Sequence, residues 1–273
     1  IGQRSGIGTE WYQPLSQTGR WFVAPRALVR ESQIDVYQNG SQIAEQQVTQ
    51  ADAGLDLGLS LGSLGEIRAG YVRVFGESDI GLSTAPLVDS DFDDGYLRVR
   101  AVLDSKDAAY FATSGSHLLT EYRHADPGLG TNDRFHGLLV RADHAMTLGG
   151  VTLVPAIEFD TMLEGQRPVW DQPSLGGFLR VSGLPVASRL VQHLALARLA
   201  GRVPVASGLV PVHIGASVEL ASGWQARDQR LDDTVLGGSV FVALQTPIGP
   251  LYLGGGFAEG SESTGFVLLG PGF

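Results

Sequence analysis

Apolar and polar residues alternate with a period of two along most of this chain, and no stretch keeps the recurrence of an amphipathic helix. Between Val48 and Leu61, Gln50, Asp52, Gly54, Asp56, Gly58 and Ser60 fall on one side, while Ala51, Ala53, Leu55, Leu57, Leu59 and Leu61 fall on the other. The same alternation runs through Trp21–Arg30, Leu97–Asp104, Val151–Asp160 and Val212–Ala221. Successive side chains of a strand point to opposite faces, so each of these segments is predicted as a strand. At Arg68–Phe75 and Arg189–Arg198 the charges leave the phase, and strands are expected there on weaker alternation.

The connections also alternate. Short ones at Ser16–Gly19, Gly62–Gly65, Leu148–Gly150, Gly201–Gly208 and Thr246–Pro250 are interleaved with longer ones at Arg30–Gln46, Gly76–Asp94, Ala125–Asp133, Leu163–Pro185 and Ser222–Thr234. Asp104–Gly115 is intermediate, and Gly260–Ser263 closes the last hairpin. The walk gives about thirteen strands. Short turns at one end and long loops at the other are the habit of membrane barrels. An odd antiparallel count leaves the first and last strands parallel, so further strands are expected upstream of Ile1, which is not a Met start.

A soluble sandwich and a membrane barrel both produce such alternation, with opposite faces buried. The polar residues separate them. The chain has a single lysine, Lys106, and its polar face is built of small residues with Arg, Asp and Glu. Guanidinium and carboxylate pair well in a crowded interior, and Leu, Val, Ala and aromatic residues suit lipid. No window of about 18 apolar residues exists, which excludes a transmembrane helix and leaves a barrel open. The fold class expected is therefore all-β, a transmembrane antiparallel β-barrel. With 19 Lys+Arg against 29 Asp+Glu the net charge is -10, which argues against a nucleic-acid partner. The absence of cysteine excludes a disulfide framework, a thiolate metal site and a thiol nucleophile.

Several segments carry a family resemblance. They are Glu10–Leu15, Trp21–Pro25, the turn Leu103–Gly115, Pro173–Leu184, Gly249–Gly254, and a last strand that closes on Phe273 like an outer-membrane insertion signal. Together they resemble the C-terminal barrel of patatin-like autotransporters of the fifth (d) class of type V secretion. That branch lies within the outer-membrane assembly and two-partner-secretion transporter superfamily. The resemblance implies a sixteen-stranded barrel whose N-terminal strands precede residue 1, with 1–273 as the translocator domain. It implies an upstream patatin-like lipase passenger, which needs a Gly-x-Ser-x-Gly elbow. Gly215-Ala216-Ser217-Val218-Glu219 begins such a motif but lacks its final glycine, so this chain is expected not to be an enzyme. The resemblance also makes Leu163–Pro185 a loop that folds back inside the barrel. Gly176, Gly177 and Phe178 stand at its tip, with Gly176 where the superfamily carries an arginine. Arg180 is expected to supply the missing charge, with Glu219 or Glu158 as partner.

The remaining candidates follow from this frame. Arg98, Arg100, Glu121, Arg123, Arg141, Glu158 and Glu219 are read as an inward charge network, structural rather than ion-selective. The six histidines are read as interior or loop residues, with His144 beside Asp143 the one candidate for an integral lipase. Asp89–Asp94 lacks the glycine and bidentate glutamate of a calcium loop and is read as solvated. Trp11, Tyr12 and Trp21 are expected at the membrane interface. No catalytic residue, cofactor or metal is expected. The expected location is the outer membrane of a Gram-negative bacterium. The expected partners are lipid and lipopolysaccharide, the barrel-insertion machinery, the chain's own passenger and a second copy. The alternative functions are a porin-like or assembly-type barrel and, third, an integral outer-membrane lipase.

Overall fold

A computed structural model describes residues 4–38, 41–83, 90–168, 171–186, 188–226, 234–260 and 263–270. Its strands are β1 (Arg4–Glu10), β2 (Gln13–Pro14), β3 (Trp21–Gln38), β4 (Ser41–Ser60), β5 (Gly65–Ser83), β6 (Ser90–Asp104), β7 (Gly115–Ala125) and β8 (Phe135–Leu148). They continue with β9 (Val151–Glu164), β10 (Ser174–Leu175), β11 (Arg189–Leu190), β12 (His193–Ala206), β13 (Val212–Trp224), β14 (Thr234–Thr246), β15 (Gly249–Ala258) and β16 (Thr264–Leu269). All except β10 and β11 form one sheet in the order β1-β3-β4-β5-β6-β7-β8-β9-β12-β13-β14-β15-β16, with β2 beside β3. Sequence neighbours pair except that β1 pairs with β3 past β2, and β9 pairs with β12 past β10 and β11, which form a small hairpin of their own.

The chain divides into two compact units, each described by itself. One contains Ile1–Val102, Leu119–Leu139 and Thr161–Gln172; the other contains Leu103–Leu118, Val140–Asp160 and Pro173–Phe273.

Which face is buried is the main result. In β4 the polar series Gln50, Asp52 and Asp56 is buried, and Asp56 has no exposed surface. Leu55 and Leu57, on the opposite phase, are exposed, Leu57 by 50%. In β13, Ser217, Glu219 and Ala221 are buried while Ile214, Val218 and Leu220 are exposed, Val218 by 58%. β3, β6 and β9 follow the same rule: Phe22, Arg98 and Glu158 lie in, while Trp21, Val99 and Ile157 lie out. A water-soluble sheet reverses this distribution. An outward apolar face is stable only against a medium that does not hydrogen-bond.

The inner face is not wholly polar. In the first unit Val72, Val74, Tyr96, Ala125, Phe135 and Met162 form a buried cluster. In the second, Leu175, Val181, Leu184 and Val191 pack with Leu194, Leu196, Ala221, Val235 and Ala258. Arg73 accounts for the broken phase of β5: it shares the outer face with Tyr71 and Phe75 and is held by Asp93 Oδ2 at 2.6 Å and Gly130 O at 3.0 Å.

Three segments differ from expectation. Arg30–Gln46 is not a long loop, because β3 runs to Gln38 and β4 starts at Ser41, paired to the end of the hairpin. Gly76–Asp94 likewise contains the ends of β5 and β6. These stretches lack a consistent apolar face, so their strand character comes from the main-chain ladder, which side-chain periodicity does not report. Arg189–Arg198 is not one strand. It breaks at Val191–Gln192, and Arg189 belongs to the β10–β11 hairpin.

Candidate functional site

The β9–β12 connection packs against the buried face of the second unit. Its backbone turns sharply: Gly176 and Gly177 have φ of 105° and 99°, and Leu179 and Val181 also lie at positive φ, 63° and 72°. Positive φ is unfavourable for a β-branched residue such as Val181, so the surroundings must hold it. Within the connection, Gly176 N donates to Arg180 O at 2.9 Å, Gly177 N to Leu184 O at 3.0 Å, and Leu179 N to Ser182 Oγ at 3.0 Å.

Three sets of contacts hold this segment to the sheet. Glu219, with no exposed surface, accepts from Ser182 N at 2.6 Å, Ser182 Oγ at 2.7 Å and Ser217 Oγ at 2.6 Å. Arg180 Nη1 donates to Glu158 Oε2 at 2.6 Å, and Arg141 Nη2 reaches Glu158 Oε1 at 3.1 Å. The ring of Phe178 lies 4.6 Å from Phe266, 5.0 Å from Tyr252 and 5.1 Å from Phe241, centroid to centroid. The main chains also approach closely: a Cβ at Gly183 would stand 2.0 Å from the Phe257 carbonyl carbon, and one at Gly256 would stand 2.1 Å from Ser182 O. Thr264 Oγ1 donates to Ser182 O at 2.6 Å.

Of the two partners expected for Arg180, the structure provides Glu158. Glu219 instead binds a backbone amide and two hydroxyls. Ser182 and Gly183 were missed by the sequence reading, because neither a serine nor a glycine carries a pattern that marks it as a contact. Beneath the segment lies a cavity of about 500 Å³, lined by Lys106, Asp143, Glu158, Arg180 and Arg198 among others. Lys106 Nζ pairs with Asp143 at 2.5 Å.

The expected single charge network is two. In the first unit Asp56 pairs with Arg98, and Arg98 approaches Glu121 at 3.9 Å. Glu121 pairs with Arg123 at 2.7 Å, Arg123 with Asp171, and Asp171 with Arg167 at 2.9 Å. This chain of alternating charge joins the sheet to Arg167 and Asp171, which were not among the expected members. Arg100 is half-buried and makes no ion pair among the described residues. In the second unit the network is Arg141, Glu158 and Arg180.

The turn between β6 and β7 adds Phe111 to a buried aromatic cluster. Phe111, at φ 53°, is buried beside Phe241 and Tyr252 and stacks on His213 at 4.6 Å. Arg202 donates to Ala112 O, with its guanidinium 5.6 Å from the Phe111 ring centre. Outside the strands, hydrogen bonds from the Thr113 hydroxyl and from backbone amides hold the Asp107 carboxyl at about 2, below the usual carboxylate range.

Asp91 and Asp93 are exposed as expected, Asp93 pairing with Arg73, whereas Asp94 is buried and accepts from Thr131 Oγ1 at 2.7 Å. Asp89 and Phe273 lie outside the described residues. Trp11 and Trp21 are exposed, and Tyr12 lies 4.3 Å from the Phe22 ring. His144 Nδ1 stands 2.8 Å from Ser116 Oγ on the exposed face. Among the described residues no three His, Asp or Glu side chains form a group that could hold a metal ion.

No family model matches the chain, and no curated protein matches it. Solved structures do. BamA from Haemophilus ducreyi, in a form lacking POTRA domains 1-3, superposes with a TM-score of 0.76 at 12% identity, over 97% of this chain and 61% of that one. CdiB from Acinetobacter baumannii superposes with a TM-score of 0.58 at 12% identity, over 98% of this chain and 47% of that one. The chain thus spans less than two thirds of the length of either. The likeness establishes the fold class, the all-β antiparallel barrel sheet.

Proposed function

We propose that this chain is the membrane-embedded barrel of an outer-membrane protein that assembles or secretes other proteins. The observation that carries the reading is the β9–β12 connection, clamped on the polar inner face by Glu219 and Glu158 while the outer face is apolar. A pore for small solutes keeps a water-filled interior, whereas this inner face is covered by the connection. A barrel that handles polypeptides needs a lining that closes when idle. The fold shared with BamA and CdiB supports the same class. The location that follows is the outer membrane of a Gram-negative bacterium. The partners that follow are lipid, lipopolysaccharide and the insertion machinery.

The finer reading is that the barrel anchors and exports an upstream patatin-like lipase, itself having no enzymatic role. It is supported by the segments Glu10–Leu15, Leu103–Gly115 and Pro173–Leu184 and by the glycine at position 176. The test is a cell-surface assay. The chain is expressed with its upstream sequence in a Gram-negative host, and protease is added outside. Cleavage of the passenger at the surface in the wild type, lost on deleting residues 1–273, is the expected result. A passenger that reaches the surface without this chain overturns the reading. A second reading, an assembly-type barrel, is favoured by the higher superposition with BamA. It gains if depletion of the chain empties the outer membrane of other barrels.

A further inference from the structure

The β7–β8 hairpin carries two histidines side by side. His124 Nδ1 lies 2.8 Å from His136 Nε2, with the rings 4.5 Å apart and tilted by 62°. Two imidazole nitrogens at that distance share a single proton: one donates and the other accepts. The second nitrogen of His136 is also engaged. Its Nδ1 stands 3.3 Å from the Tyr122 hydroxyl and 3.9 Å from Glu164 Oε2. With Nδ1–H donated to the Tyr122 hydroxyl, and Glu164 too distant for a hydrogen bond, His136 presents the lone pair of Nε2 to its neighbour. A hydrogen-bond acceptor behind a histidine, fixing its tautomer and ring plane, is the arrangement found behind metal-ligating imidazoles.

The backbone around the pair is braced. Asp126 accepts from Gly128 N at 3.0 Å and from Arg134 Nε at 2.9 Å. The connection is tied to β5 through the Tyr71 hydroxyl on Leu129 O at 2.8 Å and Arg73 on Gly130 O at 3.0 Å. Both histidines are only half-buried, so the pair is open to an ion from outside.

We propose that His124 and His136 form a two-histidine site for a borderline divalent transition-metal ion such as Zn²⁺, with the Tyr122 hydroxyl orienting His136. Zn–N bonds of about 2.0–2.1 Å at a tetrahedral angle separate two nitrogens by roughly 3.4 Å. The present pair needs to open by roughly half an ångström, within reach of side-chain rotation. His124 moves its proton from Nδ1 to Nε2, and the metal takes the place of the shared hydrogen. Water completes the coordination. The nitrogen pair selects Zn²⁺, Cu²⁺ or Ni²⁺ over Mg²⁺ and Ca²⁺, which prefer oxygen.

The experiment is calorimetric titration of the full chain, refolded in detergent, with Zn²⁺ alone and then with Mg²⁺. Saturable binding of one Zn²⁺ per chain, and none of Mg²⁺, is expected. His124→Ala and His136→Ala each abolish it, Tyr122→Phe weakens it roughly tenfold, and His144→Ala leaves it unchanged. Each variant is first checked for the wild-type heat-modifiable gel band, so that misfolding is separated from loss of a ligand. No saturable Zn²⁺ binding by the wild type overturns the proposal, as does binding that survives either His124→Ala or His136→Ala.

Discussion

Glu219 shows how much of the inner face depends on single side chains. It has no exposed surface and accepts three hydrogen bonds from donors that are themselves buried. Glu219→Ala strands the Ser182 amide and hydroxyl, while Ser217 keeps Ser239 as a partner, and a buried donor left unpaired costs about 1–3 kcal/mol. The expected loss of stability is therefore about 3 kcal/mol or more, read as a fall in the temperature at which the compact gel band disappears. Arg180→Ala removes a partly exposed cation from a carboxylate that keeps Arg141, so its loss is about 1 kcal/mol. The order of the two variants is the informative result. A larger effect for Arg180 would mean that the ion pair, not the buried carboxylate, holds the segment. The sequence placed Glu219 and Glu158 on inward phases, and it placed Arg180 in the right segment. It could not distribute the partners, because which inward carboxylate faces which residue depends on strand register and on a backbone with four consecutive-turn positive-φ positions, Gly176, Gly177, Leu179 and Val181.

At the scale of elements, two segments carry the most specific expectations. In the β9–β12 connection, Gly183→Ala places a methyl group 2.0 Å from backbone that cannot move aside. The segment is then displaced from β15, and added protease should cut it at positions protected in the wild type. Protection equal to the wild type would contradict this packing. In the β6–β7 turn, Asp107 caps the chain through Thr113, and its carboxyl titrates at about 2 against an ordinary value of 3.8. Because the folded value is depressed, the stabilisation is full above the unfolded value and fades as pH falls from about 4 through about 2. Amide protection at Thr113 should decline over that window in the wild type and be low at every pH in Asp107→Ala. The strands themselves were legible wherever one face was apolar throughout, as in β4 after Val48 and in β13. The hairpin ends between 30 and 46 were not, because polar residues occupy both faces and only the ladder identifies them.

For the whole molecule, the decisive feature is an inverted distribution of apolarity. Leu57, Val218 and Val240 are exposed, Val240 by 66%, while Asp56, Glu158 and Glu219 are enclosed. The single lysine and the small inward residues carried this inversion in the sequence, since they decide which face of an alternating strand meets water. A charge on the outer face should therefore be costly: Val218→Arg is expected to destabilise by about 2–4 kcal/mol if it lies near the bilayer midplane. The same change in a protein whose outer face met water would be close to neutral.

The most direct test uses the absence of cysteine in the chain. Single cysteines are introduced in turn from 212 to 221, labelled with a nitroxide, and the protein is placed in lipid bilayers. Collision rates with oxygen, which concentrates in hydrocarbon, are then compared with those of a water-soluble nickel chelate. The expected result is an oscillation of period two, with oxygen maxima at Ile214, Ala216, Val218 and Leu220. Maxima at His213, Ser217 and Glu219, or nickel access along the whole outer face, would contradict the assignment of the apolar face to lipid.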